Sequence, residues 1–403
     1  MKKAIAIAGT LDTKGEEIDY LRSLLSKRGH PVIIVDTGVL GIPSFKADIS
    51  RREIAISGGA DIDDLKKKED EAFAQKIMAS GLQKIILSLV ESNKIHGLLA
   101  IGGGQGSTIV APTLKALRFG FPKLLVSTKL TQAGARPYAG SKDVLLMPSV
   151  ADLAGINCLT RLVLTNAAGA ISGMVEMEKP ETLDNPVVIM SMNGTVTDCG
   201  LSVKAMLEKD GFEVLVFHTI GTGGEALEEY LKSNNAVAVI ELAVNEITNE
   251  LMDGLASAGP HRLEAAGNCG IPQIVVPGSA DFINFLGPET VPNKYRHRNI
   301  YSHNPQATLV RTNAEDNELL GKTIAKKLNK SRGPVAVLWP TKGLSTLDLE
   351  GKPYWDPDAD AALYRALITN FNEKISFIKV DAHINSSTLA DRVIKALNDL
   401  AHN

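Results

Sequence analysis

The sequence predicts an α/β protein made of two Rossmann-like subdomains, each built on a parallel sheet, with a cleft between them. Short, continuous apolar runs alternate with segments of helical spacing along the chain, which is typical of parallel strands covered on both faces. In each half a glycine-rich stretch, at residues 102–106 and 221–224, follows one of these runs. The 403 residues also suit about two domains of ordinary size.

The first half begins with a strand and a helix and continues with the same alternation. Leucine and isoleucine spacing predicts one helix directly after the first strand and one long helix over residues 65–92. Three lysines followed by three acidic residues, at 66–71, predict a solvated face on that long helix. Apolar runs predict strands at residues 4–8, 32–35, 97–101, 123–127 and 143–147.

A polar stretch with two prolines, residues 176–186, is typical of a linker and predicts subdomains over residues 1–180 and 187–403. Residues 278–313 lack regular periodicity and predict a long irregular loop, which is usually functional in a compact domain. Strands of the second half are predicted at residues 187–190, 214–217, 236–240, 273–276 and 335–338.

Composition limits the partners and the compartment. The net charge of −3 does not indicate a nucleic-acid surface. No apolar run approaches the roughly 20 residues that cross a bilayer. The three cysteines form no CxxC pair and indicate a reduced interior. We therefore expect a cytoplasmic protein with a small-molecule partner, and neither nucleic acid nor membrane.

The first candidate site residues follow the first strand. Thr10 and Thr13 offer hydroxyl groups, Lys14 offers a positive charge for phosphate, and Asp12 offers a carboxylate that holds magnesium directly or through water. A structural alternative is helix capping by Asp12 or Thr13, with Glu16 completing a Thr-x-x-Glu capping box. The two interpretations use the same helix end and are compatible.

The glycine-rich stretch of the first half is the second candidate. It consists of Gly102, Gly103, Gly104, Gln105, Gly106 and Ser107. Glycines between a strand and a helix let backbone N–H groups point at an anion, and the helix start adds partial positive charge. The alternative is close packing of the helix on the strand, with a positive φ at one glycine. No GxxxxGK[ST] motif is present, so this is not a Walker loop.

The second glycine-rich stretch consists of Gly221, Thr222, Gly223 and Gly224. With Ala226 it fits the dinucleotide-binding fingerprint, and Glu241 would then be the acid that binds the ribose. The loop suits any other anion equally well, including a phosphate or carboxylate of a substrate.

Four polar residues of the second half are candidate catalytic groups: His218, Glu241, Arg262 and Asp281. His218 would be the acid or base, the two carboxylates its partners, and Arg262 an anion clamp. In the alternative, His218 is a satisfied core residue. Three functions follow: an enzyme acting on an anionic metabolite, a nucleotide-binding regulatory or partner-binding protein without catalysis, and an NAD-dependent oxidoreductase.

Eight stretches, in order over nearly the whole chain, resemble the ATP-binding-domain family named after the tomato-mosaic-virus resistance (Tm-one) protein, otherwise uncharacterised in bacteria and fungi. The resemblance implies two α/β subdomains, ATP and Mg²⁺ as ligands, and a homodimer. The stretches are residues 9–16, 101–107, 147–150, 166–170, 217–224, 257–266, 301–305 and 311–312.

Overall fold

A computed structural model describes residues 2–178, 185–233 and 236–401. The chain divides into two compact units, Met1–Glu181 (unit 1) and Thr182–Asn403 (unit 2), and each is described by itself. Most of the predicted linker lies outside the described residues.

Unit 1 is built on a five-stranded sheet in the order β2-β1-β3-β4-β5, and all its strand pairs are parallel. Apolar cores cover both faces of the sheet, as its uninterrupted apolar strands require. Its elements are β1 (Ile5–Gly9), α1 (Gly15–Lys27), β2 (Val32–Asp36), α2 (Arg51–Gly58), α3 (Ile62–Lys68), α4 (Glu71–Glu91), β3 (Gly97–Gly102), α5 (Gly104–Ala116), β4 (Lys123–Ser127), α6 (Leu130–Ala133), α7 (Arg136–Ala139), β5 (Leu145–Pro148) and α8 (Cys158–Glu176).

The predicted long helix over residues 65–92 is in fact two helices, α3 and α4. The chain breaks at Glu69, whose φ of 51° is left-handed. The Asp70 carboxylate then accepts a hydrogen bond of 2.9 Å from Phe73 N and starts α4 afresh. The charged run at 66–71 is therefore a helix junction and not a continuous helix face.

Helix α8 is, by length and composition only, apolar enough to cross a membrane, contrary to the expectation from the sequence. In the fold, its residues Leu164, Ala167, Ile171 and Val175 are buried in the core of unit 1. It packs against β3 and β4, as the core helix of a soluble protein does.

Unit 2 is built on a six-stranded sheet in the order β14-β13-β9-β8-β6-β7, again with parallel pairs throughout. The prediction of two Rossmann-like parallel-sheet subdomains is confirmed. The elements are β6 (Val187–Met192), α9 (Thr197–Lys209), β7 (Glu213–His218), α10 (Thr222–Ser233), β8 (Ala238–Glu241), α11 (Asn245–Leu251), α12 (Ala265–Cys269), β9 (Gln273–Val275), β10 (Phe282–Phe285), β11 (Ile300–Asn304), β12 (Ala307–Arg311), α13 (Ala314–Leu328), β13 (Val335–Pro340), α14 (Pro357–Asn370), β14 (Ile375–Val380) and α15 (Ser387–Ala401).

The prediction of an irregular loop over residues 278–313 is wrong. This segment contains β10, β11 and β12, which form a separate antiparallel sheet in the order β10-β12-β11. These strands have only four or five residues each. Such short strands leave little alternation in the sequence to reveal them.

Candidate functional site

The strand order of unit 1 creates a topological switch point at β1. The chain moves from β1 to β2 on one side, and β3 lies on the other side of β1. In doubly wound sheets, ligands bind in the crevice outside the carboxyl ends of the strands at such a point. A cavity of about 720 Å³ lies there, lined by the loops that follow β1, β2 and β3. This volume falls in the roughly 300–1,000 Å³ range of small-molecule sites.

The β1–α1 loop lines the cavity with all four predicted residues, Thr10, Asp12, Thr13 and Lys14. The Thr10 and Thr13 hydroxyl oxygens lie 2.6 Å apart. The predicted capping box is wrong, because α1 starts at Gly15 and Lys14 is its N-cap residue, without a side-chain cap. The Lys14 ammonium donates a hydrogen bond of 2.5 Å to Leu153 O.

Asp12 leaves one carboxylate oxygen without a hydrogen-bond partner among the described residues. Its Oδ2 accepts from Gly41 N at 2.9 Å and lies 3.6 Å from an Arg51 guanidinium nitrogen. Its Oδ1 is buried and unpartnered. Buried polar atoms are nearly always paired, so this oxygen marks a position for a donor or a cation.

Four residues of the first glycine-rich stretch, Gly103, Gly104, Gln105 and Gly106, line the same cavity. Gly103 is the N-cap of α5 and, having no side chain, provides no side-chain cap. The prediction that one glycine of this stretch needs a positive φ is wrong, because none of them has one.

Packing explains only one of the four glycines. A Cβ atom on Gly102 would lie 2.8 Å from Ser107 N. On Gly103, Gly104 and Gly106 the nearest atoms would lie at 3.8, 3.5 and 3.8 Å, which is ordinary contact. Gly104 and Gly106 lie inside α5, where glycine costs roughly 0.5–1 kcal/mol relative to alanine, so these two positions call for a reason outside the packed chain. Gly103 is the N-cap, a position where glycine is favoured over alanine.

Gly102 and Ser107, also predicted to bind the ligand, are not among the residues that line the cavity. The Ser107 hydroxyl is fully buried and donates to Ser127 Oγ at 2.7 Å. Because this hydroxyl group is buried and already hydrogen-bonded inside the protein, the prediction that it contacts a ligand is wrong.

Asp36 and Arg51 were not predicted as site residues, yet they hold the cavity loops in place. Asp36 accepts hydrogen bonds from Leu11 N at 3.1 Å, Gly38 N at 3.0 Å and Arg51 Nε at 2.7 Å. Arg51 also donates to Gly41 O at 2.6 Å. The position of Asp36 at the tip of β2 is the only signal in the sequence for this arrangement.

Another part of the cavity lining comes from the α3–α4 junction. It adds Lys66, Glu69, Asp70 and Glu71 to the lining, beside the apolar Leu65. With Asp12 and Lys14, the described lining carries four carboxylates and two ammonium groups.

In unit 2 the backbone N–H groups of the second glycine-rich loop already bind a carboxylate that belongs to the chain itself. Gly221 N and Gly224 N donate to Glu246 Oε1 at 2.7 and 2.9 Å. A Cβ on Gly223 would lie 1.7 Å from His218 O, and one on Gly224 would lie 2.0 Å from Glu246 Oε2. The prediction that Gly221, Thr222, Gly223 and Gly224 bind a ligand phosphate is corrected, because the Glu246 carboxylate occupies that place.

Arg262 and Glu241 belong to the same buried ion cluster. The guanidinium of Arg262 contacts both Glu241 oxygens at 2.7 and 2.6 Å, Glu246 at 2.7 Å and Glu228 at 3.2 Å. Burial works against its charge, but the carboxylates, Glu241 foremost, raise the pKa of Arg262 well above its usual value. Burial also raises the pKa of Glu228 and of Glu246. The predicted anion clamp and its carboxylate partner are therefore structural groups.

Asp281 lies in a second buried cluster, around Arg311. It accepts a hydrogen bond of 2.7 Å from Ser345 Oγ, and burial raises its pKa. Arg311 contacts Asp360 at 2.7 Å and Asp348 at 3.8 Å. Burial, with the nearby Asp281 and Asp360, raises the pKa of Asp348 to about 9.

This raised pKa predicts a stabilising substitution. Folded Asp348 holds a proton that the unfolded chain releases near pH 4, so the carboxyl costs more stability as the pH rises from about 4 to 9. We expect Asp348→Asn to be more stable than wild type at pH 8 and nearly equal to it at pH 4. Denaturant unfolding at both pH values measures the difference. An equal gain in the free energy of unfolding at the two pH values would contradict the raised pKa of Asp348.

His218 is a member of neither ion cluster, although its backbone carbonyl lies beside Gly223. It ends β7, the edge strand of the sheet, and its side chain is exposed. The alternative of a satisfied core histidine is therefore also wrong. The four predicted catalytic residues occupy three separate places in unit 2: the Arg262 cluster, the Arg311 cluster and the surface.

The described residues contain no group of three or more histidine, cysteine and acidic side chains arranged to hold a metal. The three cysteines are free, with Cys158 and Cys269 exposed. Burial raises the pKa of the third, Cys199, to about 12. A metal at the unit 1 cavity would thus need ligands from a bound molecule in addition to Asp12.

These observations define a doubly wound α/β protein with a cavity at the switch point of unit 1. Sequence comparison then gives the particular family: the chain belongs to the uncharacterised protein family UPF0261. The model of its N-terminal domain matches residues 3–180, and that of its C-terminal domain matches residues 185–401.

Two bacterial relatives match over nearly the full chain, and a plant relative matches over most of it. A UPF0261 protein of Clostridium tetani is 39% identical over 98% of both chains. One of Rhizobium meliloti is 35% identical over 99% of this chain and 100% of its own. The ToMV resistance protein Tm-1(GCR237) of Solanum lycopersicum is 32% identical over 82% of this chain and 45% of its own, which confirms the resemblance drawn from the motifs.

Two solved structures match at much lower sequence identity. A UDP-N-acetylglucosamine 2-epimerase from Rickettsia bellii has 12% identity and a TM-score of 0.23, covering 68% of this chain and 78% of that one. The MurG structure from Acinetobacter baumannii has 11% identity and a TM-score of 0.19, covering 98% and 100%.

Proposed function

We propose that unit 1 binds ATP together with Mg²⁺ in the switch-point cavity. The observation that carries this proposal is the wall formed by Gly103, Gly104 and Gly106, where the fold leaves room for side chains and the sequence supplies none. Bare backbone at the start of α5 lets N–H groups approach phosphate oxygens closely. Thr10, Thr13 and Lys14 add donors from the neighbouring helix start.

The charge of the cavity argues for a metal with the nucleotide. Four carboxylates against two ammonium groups give the described lining a net negative charge. A polyphosphate would be repelled there unless a divalent cation came with it. Mg²⁺ is usually held by one or two carboxylates together with substrate phosphates and water. The unpartnered Oδ1 of Asp12 would supply the protein ligand, directly or through water.

We expect calorimetric titration to show binding of MgATP, and chelation of the metal with EDTA to weaken ATP binding at least tenfold. Asp12→Asn should lower the affinity for MgATP and leave metal-free ATP little changed, because the carboxylate acts through the metal. ATP that binds equally well with and without Mg²⁺ would contradict the metal assignment. No binding of either form would contradict the function.

The geometry favours nucleotide binding without catalysis by the second half. Glu241 and Arg262 neutralise each other, Asp281 is enclosed, and His218 is on the surface. A product assay across anionic metabolites, run with MgATP, separates a regulatory or partner-binding protein from an enzyme. An NAD-dependent oxidoreductase is disfavoured because Glu246 fills the dinucleotide loop.

A further inference from the structure

Asp36 stands where doubly wound proteins often keep the acid that binds the ribose of a nucleotide, at the end of the second strand. In this protein it is 2% exposed and bonded on both oxygens, to Leu11 N and Gly38 N through Oδ1 and to Arg51 through Oδ2. A ribose in this cavity must therefore be recognised by another group.

Three of the four carboxylates in the cavity lining each have one oxygen hydrogen-bonded within the chain. Asp70 caps α4 through Phe73 N at 2.9 Å. Glu71 accepts from Gln75 Nε2 at 2.9 Å. Asp12 accepts from Gly41 N through Oδ2, and its unpartnered Oδ1 is the oxygen proposed to hold Mg²⁺. The carboxylate of Glu69 has no hydrogen bond or ion pair with any part of the chain that the structure describes, and its residue is exposed at the cavity rim.

Local structure does not explain a glutamate at position 69. The residue is the C-cap of α3 in the left-handed conformation, with φ 51° and ψ 25°. Glycine or asparagine is favoured at such a position because a Cβ is strained there. Position 69 therefore carries a carboxylate although glycine or asparagine would fit the backbone conformation better.

We propose that Glu69 accepts hydrogen bonds from the ribose hydroxyl groups of the bound nucleotide, and so makes the cavity specific for nucleotides with an intact diol. This inference rests on the proposed function. Glu69 faces the cavity from the α3–α4 junction, whereas Gly103, Gly104 and Gly106 form the phosphate wall at the start of α5. The two walls divide recognition between the sugar and the phosphates.

The test compares three ligands, each with Mg²⁺: ATP, 2′,3′-dideoxy-ATP and tripolyphosphate. Wild-type protein is expected to bind ATP about tenfold more tightly than the dideoxy nucleotide, as befits hydrogen bonds to a charged acceptor. Glu69→Gln should lose about tenfold for ATP and nothing for the other two ligands. Glu69→Gly should lose the same discrimination while melting at a higher temperature, because glycine suits the left-handed backbone.

Glu71→Gln is the matched control. It also removes one negative charge from the cavity lining, but the Glu71 carboxylate already accepts a hydrogen bond from Gln75. This substitution should leave the ratio of ATP to dideoxy-ATP affinity unchanged. Equal weakening of all three ligands by Glu69→Gln, or a wild-type protein that binds ATP and dideoxy-ATP equally, overturns the role of Glu69 and leaves nucleotide binding intact. A wild-type protein that binds none of the three overturns the proposed function and this inference together.

Discussion

Replacing Gly104 and Gly106 with alanine is expected to stabilise the protein and, at the same time, to weaken MgATP binding by more than tenfold. Both residues lie in the first turn of α5, have ordinary backbone angles, and leave room for a Cβ. Alanine in a helix gains roughly 0.5–1 kcal/mol per site over glycine. The new methyl groups would occupy the space in which we propose that phosphate oxygens approach the backbone, so the effect on binding has the opposite sign.

Opposite signs make the result hard to mistake for misfolding. Thermal unfolding without ligand should show a raised melting temperature, and calorimetry should show the lost affinity. Gly169→Ala is the matched control, because Gly169 lies inside α8 and outside the cavity lining, and a Cβ added there would meet no atom within 4 Å. It should add stability and leave the affinity unchanged. Undiminished MgATP binding in the double variant would remove the main support for the site.

The sequence was sufficient to predict which loops meet at the carboxyl edge of the unit 1 sheet, because that arrangement depends on local order along the chain. A strand, a loop with Thr10, Asp12, Thr13 and Lys14, and a helix follow one another directly, and parallel strands bring the second loop to the same edge. The other parts of the cavity were not predicted, because they depend on a contact between two residues in different elements and on the backbone conformation of a single residue. Asp36 and Arg51 meet across 15 positions, and the α3–α4 junction turns on one residue, Glu69.

The second glycine-rich loop shows where local pattern is insufficient. Backbone N–H groups at Gly221 and Gly224 do bind an anion, as predicted from their chemistry. The anion is Glu246, from a helix that begins after the next strand. Sequence pattern alone cannot distinguish a loop that binds its own chain from one that binds a ligand, because the donors are the same.

The largest effect on stability is expected from Arg262→Met. The substitution removes the positive charge that Glu228, Glu241 and Glu246 share and leaves three buried carboxylates together. Removing one partner of a buried ion pair costs about 3–5 kcal/mol, because the remaining charge stays uncompensated. Denaturant unfolding should show this loss at pH 7 in the fluorescence of Trp339, which is buried in unit 2.

The pH dependence separates this structural role from an anion clamp for a substrate. Without Arg262 the carboxylates bind protons more strongly in the folded than in the unfolded protein, so the loss of stability should shrink as the pH falls towards 5. A substrate clamp would instead lower turnover and leave stability nearly unchanged at every pH. Lys294→Met is the control, since it breaks the exposed pair of Lys294 with Asp253 and should change little. An Arg262→Met protein as stable as wild type at pH 7 would show that the three glutamates do not need the guanidinium, and would return Arg262 to the set of candidate ligand-binding residues.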